Sequence, residues 1–281
     1  MTDFIIELII ALLFVILATL TDIKTREVPY AISNGLLISA VILRIFFSIR
    51  DMSFNPILYG LYGFLIFGLF AYILFRTNIW GGADVTILAG LGLLFGYKYG
   101  ETFLLSYVIN LFIVGGILGI IFCLYKGIRY RKQLKYKSLK HINIIYLTIS
   151  VFLILNYFLI NDLLLKLTLT MLIIFIPLSM LLLNYVKAVQ NDLMDVKISV
   201  PKLTEGDWVV KDVKVDGKVI AKSKDNGLSL KQLDTLNKLY KNKKIKTVLV
   251  REGMPFLPSF LISLIVTYYI GNIFIFMLTT F

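Results

Sequence analysis

Long apolar runs, broken by short polar connections, set the pattern of this chain. A hydrocarbon core of about 30 Å takes about 20 apolar residues to cross as a helix, and eight stretches answer to that pattern: Phe4 to Leu20, Tyr30 to Ile49, Phe54 to Phe75, Val85 to Tyr97, Thr102 to Tyr125, Ile142 to Ile160, Leu163 to Val186, and Phe256 to Phe281. The fourth is short, rising only about 20 Å as a helix, so it is expected to span half the bilayer or to recruit residues from the loop before it. Gly90, Gly92 and Gly96 within it, and the Gly92/Gly96 and Gly115/Gly119 spacings, allow helix backbones to approach closely, with packing as their ordinary role. The predicted fold is an all-α polytopic membrane bundle.

Between the seventh and eighth runs the pattern changes. Trp208 to Val215 alternates as a strand does, Asp216-Gly217 is a strong hairpin turn into Lys218 to Lys222, and Thr247 to Arg251 reads as another strand. Ser229 followed by Gln232 has the form of a capping box, ahead of a helix to about Tyr240 with Leu230, Leu233, Leu236 and Leu239 on one face. The expected organisation is therefore a transmembrane domain over 1–186, a small α+β domain over 187–254, and a transmembrane helix over 255–281. Asp192, Asp195, Asp207 and Asp212 are scattered among lysines in the small domain, where a solvated surface is their default role.

Composition agrees with a membrane protein: 58% of the 281 residues are hydrophobic and 16% charged. The net charge is +12, and the basic residues behind it are concentrated in the loops between apolar runs. The loops Thr21 to Pro29, Arg76 to Asp84, Lys126 to His141 and Lys187 to Pro255 carry 25 of the 29 Lys and Arg residues, while Arg44, Arg50, Lys98 and Lys166 fall on or near the other side. By the positive-inside rule those four loops face the cytoplasm. No basic stripe interleaved with aromatics occurs on a soluble domain, which argues against nucleic acid as a partner; the lipid bilayer is the expected one.

Cys123 is the one cysteine and lies in an apolar run, so neither an internal disulfide nor a cysteine-based zinc site is expected. His141 is the one histidine, in a lysine-rich loop with no nucleophile beside it, and reads as a solvated loop residue. The first apolar run follows Asp3 and contains Glu7; it lacks the basic start and small-residue cleavage site of a secretory signal and is expected to stay on the protein.

Acids at membrane depth or at its edge are costly and are functional candidates by default. Glu7, Asp22, Asp84, Glu101 and Asp162 qualify. Asp22 follows the first apolar run, and Asp84 opens the fourth after the flexible Gly81-Gly82 turn, so both are expected on the cytoplasmic face. Pro29 suits the first turn of the second helix. Two carboxylates brought together repel, and one keeps a proton where an isolated acid would lose it. Such a pair can hydrolyse a peptide: the ionised member draws a proton from a water held between them while the neutral member donates to the scissile carbonyl oxygen. No metal or other cofactor is required. The alternatives are a proton- or cation-coupled transporter using the same acids, and a scaffold in which both are helix caps. Against the transporter stand the lack of an internal repeat and the placement of both acids at one face instead of mid-membrane.

At these residues the chain resembles the GxGD membrane aspartyl proteases, and within them the type IV prepilin peptidases and archaeal preflagellin peptidases. Asp22 followed by Arg26-Glu27-Val28-Pro29, the Gly81-Gly82-Ala83-Asp84 motif, and Gly253-Met254-Pro255-Phe256-Leu257-Pro258 carry the resemblance; the Glu205-Gly206-Asp207-Trp208 turn is similar to the archaeal members' cytoplasmic domain. The resemblance implies Asp22 and Asp84 as the catalytic pair, with Gly81, Gly82, Ala83, Arg26 and Pro29 in support. It implies membrane-anchored pilin or archaellin precursors as substrates, cut on the cytoplasmic side between a short leader and the hydrophobic helix. Ala83 departs from the family's glycine and Thr86 from a frequent lysine, and residues 126–186 look like an addition to the smaller archaeal enzymes. Relatives that also methylate the new N-terminus carry a cysteine cluster; with Cys123 alone, this chain resembles a peptidase without that activity.

Overall fold

The architecture comes from a computed structural model that describes residues 2–77, 79–96, 101–134, 140–223, 225 and 227–280, with the side chains of 2, 101, 102 and 140–143 left aside. The side chains of Glu101 and His141, and all of Tyr97 and Lys98, therefore lie outside the described residues. Helices fall where the apolar runs predict them: α1 Thr2–Thr25, α2 Tyr30–Arg50, α3 Asn55–Arg76, α4 Gly82–Phe95, α5 Glu101–Arg129, α6 Lys140–Leu159 and α7 Leu163–Val189. Five helices among the described residues are long and apolar enough to cross a membrane, and a bent pair after them makes a sixth span if counted as one. The chain is a multi-pass helical bundle with a small strand-containing region near its C-terminus.

The structure corrects three expectations. The run Phe256 to Phe281 is not one helix: α9 Leu257–Ile270 and α10 Ile273–Thr280 meet at a bend of 44°. Gly271 takes a φ of +78° there, and Asn272 Oδ1 accepts the Phe274 N–H at 2.9 Å to start α10. Fully buried Asn110 of α5 closes the break, donating to Thr267 Oγ1 and the Gly271 carbonyl and accepting the Ile273 N–H at 3.0 Å. Pro29 stands one position before the first turn of α2, at its N-cap, where its carbonyl receives the Ile32 N–H. The predicted strand Trp208 to Val215 is interrupted by a bend at Val210 and Lys211, leaving β2 Trp208–Val209 and β3 Val213–Val215.

Contacts divide the chain into two units. The first comprises 1–119, 198–248 and 253–281. Its core gathers Leu8, Ala11 and Val15 of α1, Leu36 and Ala40 of α2, Ile87, Leu88 and Leu91 of α4, Leu104 and Tyr107 of α5, and Phe260 and Leu264 of α9. The short helix α4 lies at its centre, packed on both α2 and α3. Against α3 the backbones all but touch: a Cβ on Gly63 would sit 2.0 Å from the Gly92 carbonyl, and one on Gly92 2.5 Å from that of Gly63. No other residue type permits this approach.

Within the same unit, β3 pairs antiparallel with β4 Lys218–Ala221 across Asp216 and Gly217, both at positive φ as the predicted hairpin turn requires. Helix α8 Leu230–Lys241 starts on the predicted box, Ser229 and Gln232 bonding reciprocally, and buries Leu233 and Leu236. Strands β1 Asp195–Ser199, β5 Thr247–Arg251 and β2 form a sheet in the order β1-β5-β2. The second unit, 120–197 and 249–252, holds the antiparallel α6–α7 hairpin, a small core of Cys123, Val189 and Met194, and the ion pairs Lys126–Glu252 at 3.2 Å and Arg251–Asp195 at 2.7 Å. Asp162 is a helix cap, accepting the Leu165 N–H of α7 at 2.9 Å.

Glu7 is likewise structural. It is fully buried in α1, 3.2 Å from Arg44 of α2, which is 2% exposed. The Arg44 guanidinium also donates to the Leu93 carbonyl at 2.9 Å and to that of Leu94, holding the last turn of α4, where a cation suits the helix dipole. Removing one partner of such a pair leaves the other's charge buried. Arg44→Met should destabilise the protein by about 3–5 kcal/mol, and adding Glu7→Gln should recover part of the loss, both read from thermal unfolding in detergent.

In the small domain, burial pushes the Asp207 carboxyl above the usual carboxylate range, against the N–H bond it accepts from Thr204 and with the nearby charge of Glu27 adding to the rise. The native state then holds that proton more tightly than the unfolded chain. Its contribution to stability is largest in acid and declines as pH rises from the ordinary value to the raised one. Asp207→Asn should flatten that part of the stability–pH curve in denaturant titrations between those limits.

Candidate active site

Helix α1 runs past the apolar stretch to Thr25, so Asp22 sits in its last turn. A carboxylate is unfavourable at the C-terminus of its own helix. It is stabilised by another. Asp22 Oδ2 accepts the Leu257 N–H at 2.9 Å, the neighbouring Phe256 N–H lies near enough to act on the same carboxylate, and both groups belong to the start of α9. Thr19, one turn earlier, donates to the Leu257 carbonyl at 3.1 Å and fastens the two helices together. Asp22 is 8% exposed and so does the work of an N-cap for a helix 235 residues further along the chain.

Arg26 ends α1 in the left-handed region, φ +58°, with its N–H on the Asp22 carbonyl at 2.8 Å. That is the closing bond of an αL cap, a position glycine usually takes. An arginine held there is strained by about 1–3 kcal/mol, and its charge acts on Asp22.

Helix α4 begins at Gly82, three residues before the predicted start, which puts Asp84 in its first turn. Asp84 Oδ2 accepts the Gly81 N–H at 2.9 Å, the half of a capping box that a glycine N-cap permits. The carboxylate is half-buried, and among the described residues Gly81 is its one hydrogen-bond partner. Asp22 and Asp84 are near enough for the charge of one to act on the other. The two acids thus stand within electrostatic reach of one another, Asp84 in the first turn of α4 and Asp22 against the start of α9.

The supporting positions sort differently. Gly81, at φ −78° and ψ 164°, is extended backbone open to any residue, and a Cβ on Gly82 would meet nothing within 4 Å. Ala83 is already helical, so alanine in place of the family's glycine is the better helix former. Thr86 donates to the Gly82 carbonyl at 3.0 Å, one turn back on its own helix. Pro29 makes no bond to either acid; it starts α2. Among the described residues no group of three or more His, Cys, Asp or Glu side chains is arranged to hold a metal.

Two contributions escape a reading of residue types. The Phe256 and Leu257 donors are backbone groups, and only the Gly253 to Pro258 motif marks where they lie. Trp80 is 3% exposed against Phe70 of α3, Phe112 of α5, and Phe256 and Phe260 at α9, with ring centroids 5.6 to 6.4 Å apart.

Residues 9–124 match the model of the type IV leader peptidase family. A preflagellin peptidase of Methanococcus voltae is 36% identical over 85 residues, which are 30% of this chain and 36% of that relative. The chain thus aligns with about a third of the relative's length. No solved structure matches the chain. The resemblance read from the motifs is borne out at the level of the family, over the segment that contains both aspartates.

Ala83→Gly should lower stability by about 0.5–1 kcal/mol, measured as a shift in the unfolding midpoint. Asp22→Asn, which keeps an oxygen acceptor for the α9 donors, should stay within a few tenths of that midpoint's wild-type free energy, while Asp22→Ala should lose about 1–2 kcal/mol as a lost cap does.

Proposed function

We propose that this chain, whose residues 9–124 carry the signature of the type IV leader peptidase family, is a membrane aspartyl endopeptidase acting through Asp22 and Asp84. The observation that carries the reading is the placement of two carboxylates from distant parts of the sequence at the starts of α4 and α9, within electrostatic reach of one another. Close acids do not both ionise, so the pair holds one proton. With a peptide bound, the ionised carboxylate takes a proton from a water lying between the two as that water's oxygen adds to the scissile carbonyl carbon. The neutral carboxyl gives its proton to the carbonyl oxygen. Collapse of the resulting diol breaks the C–N bond, with a proton passing to the leaving nitrogen. The α9 and α4 N-termini favour negative charge at this point.

The substrates are membrane-anchored precursors of pilin or archaellin type, cut between a short leader and the hydrophobic helix. The site faces the cytoplasm, on the strength of the 25 basic residues in the four loops that share its side. The name of the Methanococcus voltae relative supports the archaellin-type substrate. The leader and the start of an apolar helix would arrive together at the bilayer edge, where both acids stand at helix ends.

The test is cleavage of a precursor with a short leader by purified protein in detergent, followed by gel shift. Asp22→Asn and Asp84→Asn should each abolish cleavage, by at least about a thousandfold, with folding retained. Chelation should leave the rate unchanged, since water is activated by carboxylates. Full cleavage by either variant would refute the dyad, and loss of cleavage on chelation would refute the metal-free route.

A further inference from the structure

The two aspartates are held by backbone groups of two separate segments, and one side chain joins those segments. Trp80 immediately precedes Gly81, whose N–H holds Asp84. Its ring lies 5.8 Å from that of Phe256, centroid to centroid, and Phe256 immediately precedes Leu257, whose N–H holds Asp22. We infer that Trp80 is a positioning residue that sets the separation of the two carboxylates, an inference that rests on the dyad proposed above.

The surroundings of the indole make it a stop instead of mere filling. Phe112 of α5 stacks on it at 6.2 Å with planes 19° apart, Phe70 meets it edge-on from α3, and Phe260 backs it from the next turn of α9. Phe256 is confined from its other side by α5, where a Cβ on Gly115 would fall 2.8 Å from its ring, and it meets Phe260 edge-on. The backbone before Gly81 is tied as well, the Ile79 and Trp80 N–H groups both donating to the Leu74 carbonyl at the end of α3. Rings in a close-packed interior have few alternative placements. Changing the bulk of residue 80 must therefore shift the Gly81 N–H, the Leu257 N–H next to Phe256, or both, and with them the acids they hold. An error of about 1 Å in such a pair is worth about a hundredfold in rate.

A purely packing role would predict something else. Phe95 supplies the comparison: it is 1% exposed at the far end of α4, packed on Phe4 and Phe103, and takes no part in holding either acid. The test compares Trp80→Leu, Trp80→Phe and Phe95→Leu in the full-length protein in detergent, below the unfolding midpoint of each, for kcat and KM on the same precursor. Trp80→Leu should lose about a hundredfold in kcat with KM within about threefold, Trp80→Phe should recover most of the rate, and Phe95→Leu should keep wild-type kcat despite a similar drop in Tm. Should Trp80→Leu not fold, Phe256→Leu keeps both N–H groups and removes the ring that Trp80 rests on, and the same loss of kcat is expected. Wild-type kcat in the folded Trp80 or Phe256 variant overturns the inference, as does an equal loss in Phe95→Leu. Where Asp22→Asn or Asp84→Asn cleaves at the wild-type rate, the dyad and this inference fall together; where both are inactive and Trp80→Leu is not impaired, the inference alone falls.

Discussion

The structure turns on a carboxylate that is misplaced in its own helix and correctly placed in another. Asp22 terminates α1, where the dipole opposes it, and is retained because the first N–H groups of α9 have no intrahelical partners and point at it. That exchange fixes where α9 enters the bundle. It also accounts for Thr19, which ties the same two helices a turn away, and for Arg26, whose strained backbone closes α1 without lengthening it beyond the site.

Helix α4 is the second fixed body. Fourteen residues are too few to cross a bilayer alone, so its position along the bundle axis is set by what grips its ends and its flank. Arg44 holds the carbonyls of its last turn, with Glu7 balancing the charge; Gly63 and Gly92 press its flank onto α3; and the Trp80 cluster stands over its first turn. Asp84 is carried on a short helix held at both ends, a more precise platform than a loop.

Much of this is legible in the residues because membrane helices announce themselves by length and apolarity, and because Asp216-Gly217 and the Ser229/Gln232 pair have few structural uses. The two acids are legible for a related reason: charge at the edge of a bilayer is expensive and stands out. What holds the acids is less visible. Backbone N–H groups belong to every residue, so nothing in Phe256 or Leu257 as side chains reveals that they serve Asp22. The Glu7–Arg44 pair hides because each member, taken singly, looks like an isolated charge near a helix end. The bend at Gly271 carried a sign, a glycine followed by asparagine within an apolar run, but Asn110, which makes it tenable, lies 163 positions from Ile273.

The reach of the Asp22 bond has a bearing on biogenesis. Its donor emerges from the ribosome 235 residues after its acceptor, once every helix before α9 has been made. Until α9 arrives, the carboxylate is exposed at the tail of α1 without the groups that later shelter it. A chain that lacks α9 therefore lacks the backbone donor that holds Asp22 in the finished structure.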